Sequence, residues 1–290
     1  MIENIFSSIT DWFKEILIDS ITTNMAVTLG TTKGVLNQYG GAGLLTLDND
    51  GLGISNLIQT LSQNVILPIA GIILTFVMCY ELIQIIIQKN NMHDIDTWIF
   101  FKWIFKTFIA VLLVTNTWQI ITGVFNIGNR IVMQASSTIS TAVGIDTRAA
   151  AERMIESLQD KNIGELIGLL ISTAFVFLAI NLLSLCVFLV VYARIMEIYL
   201  VTSLAPIPFA TFTNHDWSHV GQNYLKSIFE LAFQGFLIMV CMGIYAVLLN
   251  NITFTDDVGA TMWICVGYTA LLVYALFKTG SVSKSIFAAH

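Results

Sequence analysis

The chain has 290 residues, of which 56% are hydrophobic and only 11% charged, and its mean hydropathy is +0.78. A soluble domain usually carries about 25% charged residues, so this chain has too few to solvate a 32.1 kDa globule in water. The formal net charge of −6 and the pI of about 5.1 exclude a domain that grips nucleic acid over a basic face, although not one past which nucleic acid moves.

The N-terminus reads Met1-Ile2-Glu3-Asn4, without the basic start or small-residue cleavage site of a signal peptide, so insertion is expected to rely on the membrane spans. Ile2, Ile5, Phe6, Ile9, Phe13, Ile16 and Leu17 recur at helical spacing, with Glu3, Asp11, Lys14, Glu15 and Asp19 between them. This pattern predicts an amphipathic helix over 2–19 that lies in the membrane interface or on a partner. A linker is expected next, because Gly34, Gly40, Gly41, Gly43, Gly51 and Gly53 crowd together beside Asp48-Asn49-Asp50. Residues 1–64 read as one extracytoplasmic segment.

Apolar runs long enough to cross a bilayer, about 20 residues each, begin near Val65 and recur. They cover Val65–Gln88, Trp103–Gly123, Leu166–Tyr192, Ile228–Leu249 and Val258–Phe277. Pro68 is expected in the first turn of the first span, where its missing N–H costs little. The first two spans occupy 65–123 and are joined by the polar turn Lys89–Asp96. Lys102 and Lys106 lie among Trp98, Phe100, Phe101, Trp103, Phe105 and Phe108, as in an interfacial belt where lysines reach the headgroups. Residues 124–164 form a polar stretch with Arg130, Arg148, Arg153 and Lys161 set against Asp146, Glu152, Glu156 and Asp160, and read as a large extracytoplasmic loop with a short helix from Thr147 to Asp160.

The remainder, 165–290, is expected to be a C-terminal transmembrane bundle. Gly164, Gly168 and Ser172 at four-residue spacing would let a neighbouring helix approach closely. Residues 195–212 are apolar but contain Glu197, Pro206 and Pro208, and two prolines so close disrupt a helix. They read as a proline-broken re-entrant or interfacial segment, since broken backbone at membrane depth needs protein or a water-filled cavity around it. The fold class is therefore an all-α integral membrane protein with about five transmembrane helices, this broken segment and an N-terminal amphipathic helix.

Five spans also suit the basic residues. With the N-terminus outside and the C-terminus cytoplasmic, Lys89, Lys102, Lys106, Arg194, Lys226, Lys278 and Lys284 all fall inside, and the loop with Asp256-Asp257 falls outside.

No Walker A, GxGxxG, HExxH or GxSxG pattern occurs, and no catalytic residue or cofactor is expected. Cys79, Cys186, Cys241 and Cys265 lie singly in apolar runs and read as packing residues. His215 and His219 lie at i and i+4 without an evident third ligand, and His93 with Asp94 and Asp96 reads as a solvated turn, so no metal is expected. The intramembrane acids are the sharper candidates. Ionised groups at bilayer depth pair or face a cavity. Glu197 lies three residues from Arg194 and Glu230 four from Lys226, so both have local partners in reach. Glu81 has none on its own helix and is the leading candidate for an intramembrane role.

Several stretches resemble a known family. Asn64–Gly71 (NVILPIAG), Lys89–Lys106 (KNNMHDIDTWIFFKWIFK), Arg194–Phe209 (RIMEIYLVTSLAPIPF), Gly221–Tyr224 (GQNY), Phe233–Gly235 (FQG) and Phe277–His290 (FKTGSVSKSIFAAH) are similar to TrbL/VirB-six-type conjugal transfer proteins, in the version carried on conjugative elements of Gram-positive bacteria. The resemblance implies a polytopic inner component of a type IV secretion system in the cell membrane. It also implies an oligomeric ring, five-fold by expectation, partnered by other secretion subunits and lipid. Its transient substrate would be single-stranded DNA carrying its relaxase. It implies no catalytic residues. Arg130, Arg148, Arg153 and Lys161 then become candidate contacts to substrate or partner, with pairing to the nearby acids as the alternative. Two other functions stay open: a secondary transporter for a small solute, which the Ala205–Pro208 break and Glu81 fit, and an assembly factor that never touches DNA.

Overall fold

A computed structural model describes residues 2–39, 53–88, 97–142, 158–159, 161–214, 216–252 and 258–287. Among them no strand occurs, and five helices are long and apolar enough to cross a membrane, as the composition predicted.

Helix α1 covers Ile2–Tyr39, twice the expected length. Of the apolar run at its start, Leu17 joins the buried stripe. Leu17, Ile21, Met25, Thr28, Thr32 and Val35 are buried at helical spacing, whereas Ile9, Phe13 and Ile16 are exposed. Gly34 does not end the helix; the rest of the glycine-rich linker, residues 40–52, lies outside the described residues.

Helix α2, Ile54–Leu61, continues through one π turn, Ser62–Ile66, into α3, Leu67–Gln88. The π turn accommodates Pro68. A proline lacks an N–H and clashes with the carbonyl four residues back, here that of Asn64. Widening the turn lets the Leu67 N–H reach Ser62 instead. The first span thus extends N-terminally to Ile54, and Pro68 lies in its middle.

Helix α4 covers Thr97–Thr115 and α5 Thr117–Ala142, with a turn at Asn116. The backbone bonds from Asn116 N–H to Leu112 and from Ile120 N–H to Asn116 continue through it at 3.1 Å each, while side chains crowd the same turn. Thr115 Oγ1 donates to the Val111 carbonyl at 2.8 Å, Asn116 Nδ2 to Leu112 at 2.8 Å, and Thr117 Oγ1 to Leu113 at 2.9 Å. Three consecutive side chains thus compete for the carbonyls of one turn. The second span ends at Thr115 rather than Gly123. Residues 124–142, expected in a loop, are helix. The sequence signal was Ile121, Val124, Phe125, Gly128, Ile131 and Val132, a 3.6-residue period partly hidden by Asn126, Asn129 and Arg130. Most of the expected short helix 147–160 lies outside the described residues.

Helix α6 runs unbroken over Ile163–Ser203 and is followed by the short α7, Pro206–Ala210. At about 1.5 Å rise per residue the 41 residues of α6 reach about 60 Å. Hydrocarbon is roughly 30 Å thick and helices tilt by up to about 40°, so part of α6 must lie beyond it. The helix outlasts Tyr192 because a proline disturbs only the turn before it. Pro206 first affects Thr202, and the break falls at Leu204-Ala205. Helices α8, Ser218–Asn250, and α9, Val258–Phe287, complete the chain.

The contacts divide into two units, and α5, α6, α8 and α9 each contribute to both. Unit 1 comprises Met1–Gly41, Val132–Tyr192 and Leu237–Thr279. Its core joins Leu17, Ile21 and Met25 to Leu158, Leu166, Val176, Ile180 and Met262. Trp263 Nε1 donates to Ser172 Oγ at 3.2 Å, and the Tyr245 and Thr269 hydroxyls share a hydrogen bond of 2.8 Å. Gly164 and Gly168 have open space beside them among the described residues, and of the small-residue motif only Ser172 meets a neighbouring helix, through Trp263.

Unit 2 comprises Ala42–Ile131, Ala193–Phe236 and Gly280–His290. Here the close helix approach is at Gly128, where a Cβ would stand 3.1 Å from the Ala232 carbonyl. The α3–α4 pair carries α7 against it. Trp98, Phe101, Phe105 and Phe108 form an exposed stripe on α4, the surface expected of a helix solvated by hydrocarbon.

Candidate functional site

The functional candidates in unit 2 fall into three groups of contacts. In the first, Arg194 on α6 is 4% exposed, and its guanidinium is held by α8. Nε donates to Gln234 Oε1 at 3.2 Å, and a terminal nitrogen donates to the Leu231 carbonyl. The rigid fork of Arg suits two acceptors that lie in different directions. Glu230, 3% exposed, lies one residue before Leu231, and its carbonyl accepts from Ser283 Oγ of α9 at 2.8 Å. Gly280 abuts the Gln234 amide, which a Cβ there would meet at 3.2 Å. Three helices are thus tied through one polar cluster. Glu197 and Glu230 are the carboxylates whose field reaches Arg194. Neither forms the expected local salt bridge. Arg194 turns to α8 instead of Glu197, and Lys226 is exposed while Glu230 points inward.

In the second group Glu81 does have a partner, on the neighbouring helix rather than its own. It forms a salt bridge with Lys106 of α4, and its other carboxylate oxygen is buried without a hydrogen bond. Trp103 Nε1 donates to the Met78 carbonyl at 3.3 Å, and Thr107 Oγ1 lies 3.3 Å from Met78 Sδ, pinning α3 and α4 at the same level. Lys106 therefore pairs inside the protein instead of only reaching for headgroups.

The third group surrounds the proline break. Pro206 occupies the start of α7, where its missing N–H has no partner to lose. Ala205 N–H bonds to Thr202 in a tightened turn, and the Val201 carbonyl accepts from the Tyr224 hydroxyl at 3.0 Å. The Phe209 and Tyr224 rings meet edge to face at 6.0 Å. Pro206, Phe209 and Ala210 are buried, so the irregular backbone is enclosed by protein. Gly221 passes so close that a Cβ would stand 2.9 Å from the Pro208 carbonyl and 2.7 Å from the Phe212 ring. Asn214 Oδ1 accepts the N–H groups of Asp216 and Trp217 at 2.9 and 3.2 Å, capping the entry to α8. Gln84 Nε2 donates to Asp216 at 2.9 Å, and Trp217 stacks on Tyr80 with centroids 6.4 Å apart. Asn214, Gln84 and Trp217 were not singled out in the sequence, and Gly221 only as the start of the GQNY stretch. Of these only Asn214 carries a local signal, a capping residue ahead of a helix.

The four basic candidates for substrate or partner contact fall in different parts of the chain. Arg130 is exposed on α5 in unit 2, Lys161 precedes α6 in unit 1, and Arg148 and Arg153 lie outside the described residues, as do His215 and the His93–Asp96 turn. His219 is exposed, with Nδ1 3.0 Å from the Asp216 carbonyl oxygen. Among the described residues no group of three potential metal ligands occurs, and the four cysteines are unpaired.

Long apolar helices, one of them broken at Pro206, define a multi-pass all-α membrane protein whose polar groups are spent on tying helices together. The family described as TrbL/VirB6 plasmid conjugal transfer like protein matches residues 51–206, just over half of the 290. The chain belongs to that family and is a component of a conjugal transfer, type IV secretion apparatus. Neither the curated proteins nor the solved structures give a match.

Proposed function

We propose that the chain is a channel or scaffold subunit that helps move single-stranded DNA, with its relaxase, across the bacterial cell membrane. The observation that carries this reading is the extent of the family match, which begins before α2 and ends at the proline break. The subunit works in a homo-oligomeric ring, five-fold by expectation, beside other secretion subunits. Its N-terminus is outside and its C-terminus cytoplasmic. In support of that orientation, Lys102, Lys106, Arg194, Lys226 and Lys284 all belong to unit 2, although Arg130 does too and Lys278 does not. The solute-transporter reading loses one of its two supports, because the Glu81 charge is countered by Lys106. Deletion of the gene from an otherwise intact conjugative element tests the proposal. Transfer frequency should fall by orders of magnitude and return on complementation; transfer at the undeleted frequency would refute it.

A further inference from the structure

Unit 2 contains a cavity of about 80 Å³ with an almost wholly apolar lining. Its walls are Val124, Ile127 and Ile131 of α5, Phe229, Phe233 and Phe236 of α8, and Phe287 of α9. Ile127, Ile131 and Phe229 are 62%, 38% and 42% exposed, so the cavity opens outward from the bundle. Its α8 and α9 walls belong to helices long and apolar enough to cross a membrane, which puts acyl chains within reach of the opening. Three aromatic rings of α8 and one of α9 make a rigid, shaped wall, whereas a surface that only meets bulk lipid needs no hollow.

Two cations flank the same cavity on two helices. Lys226 lies at i−3 and i−7 from Phe229 and Phe233, one turn further along the face of α8 that lines the cavity. Lys284 lies one turn before Phe287 on α9. Both are exposed. The opposing charge is Glu230, whose side chain is turned inward and lies within the field of Lys284. Lys226 and Lys284 are thus exposed, while Glu230 is buried.

We propose that this cavity holds part of one acyl chain of an anionic phospholipid, whose phosphate is recognised by Lys226 and Lys284. The volume admits a short stretch of chain, and the rest of the lipid lies along the exposed faces of α5 and α8. The bound lipid joins α5, α8 and α9 at the level of the Gly128–Ala232 contact. This inference rests on the membrane location of the chain and is independent of what the apparatus transports.

Native mass spectrometry of the full chain in mild detergent, with added phosphatidylglycerol or phosphatidylcholine, tests it. The wild type should retain one phosphatidylglycerol in preference to phosphatidylcholine by about thirtyfold, the scale that two basic residues near an anionic headgroup supply. The K226Q/K284Q double variant should lose the preference, and Val124→Phe, which fills the cavity, should lose retention of both lipids. Ile127→Trp, on the exposed rim, replaces Val124→Phe if the latter does not fold. Equal retention of the two lipids by the wild type, a preference undiminished in the double variant, or unchanged retention in the cavity variant would each overturn the proposal.

Discussion

Glu81 on α3 and Lys106 on α4, 25 positions apart in sequence, form a salt bridge within the apolar part of the chain, with side chains 12% and 36% exposed respectively. Removing one member leaves the other charge in a poorly solvated place. Lys106→Met should therefore lower stability by about 2–3 kcal/mol, from the cost of an uncompensated charge at such depth. Glu81→Gln should cost less, because Lys106 is the more exposed partner and can reach water. The E81Q/K106M double variant should be more stable than K106M alone. Thermal unfolding in detergent, analysed as a double-mutant cycle, reads these differences. Additive losses would show that the pair is not coupled.

The Arg194 cluster predicts a different order. Arg194→Lys keeps the charge but loses the fork that reaches Gln234 and Leu231 together. The expected loss is about 2 kcal/mol, the scale of charge-assisted bonds. Ser283→Ala gives up one neutral bond to the Glu230 carbonyl and should cost about 1 kcal/mol. Melting temperatures of the two variants should fall in that order.

The glycines give a contrast within one protein. Gly221→Ala would drive a Cβ into the Pro208 carbonyl and the Phe212 ring, and should destabilise by about 1–3 kcal/mol. Gly267→Ala meets nothing within 4 Å and should be neutral or stabilising by up to about 1 kcal/mol. Equal effects on the melting temperature would contradict the close packing of α8 on α7.

Single cysteines in a cysteine-free background test the proposed orientation. Position 256 should react with an impermeant maleimide on intact cells, and position 284 only after lysis. The reverse pattern would invert the topology.

The apolar spans were legible because about 20 consecutive apolar residues have few other uses. Their ends were less so. Pro68 was expected near a helix start, yet a π turn carries it mid-helix; at Asn116 side-chain bonds that hydropathy does not register crowd the carbonyls of one turn. The polar residues Asn126, Asn129 and Arg130 made a helix look like a loop. The site was harder still. Candidate partners were sought at i+3 and i+4, but Glu81 finds Lys106 and Arg194 finds Gln234 across helices, at separations of 25 and 40 positions. Such pairings follow from helix packing and have no local signature.

A channel subunit must lie on the path of the transferred strand. Crosslinking in mating cells, with photoreactive side chains at positions 148, 153 and 161, tests it most directly. If the chain lines that path, the transferring DNA should be recovered covalently attached to it, and only while transfer proceeds. If the other secretion subunits crosslink and this one does not, although transfer still requires it, the chain is an assembly factor and the channel reading is contradicted.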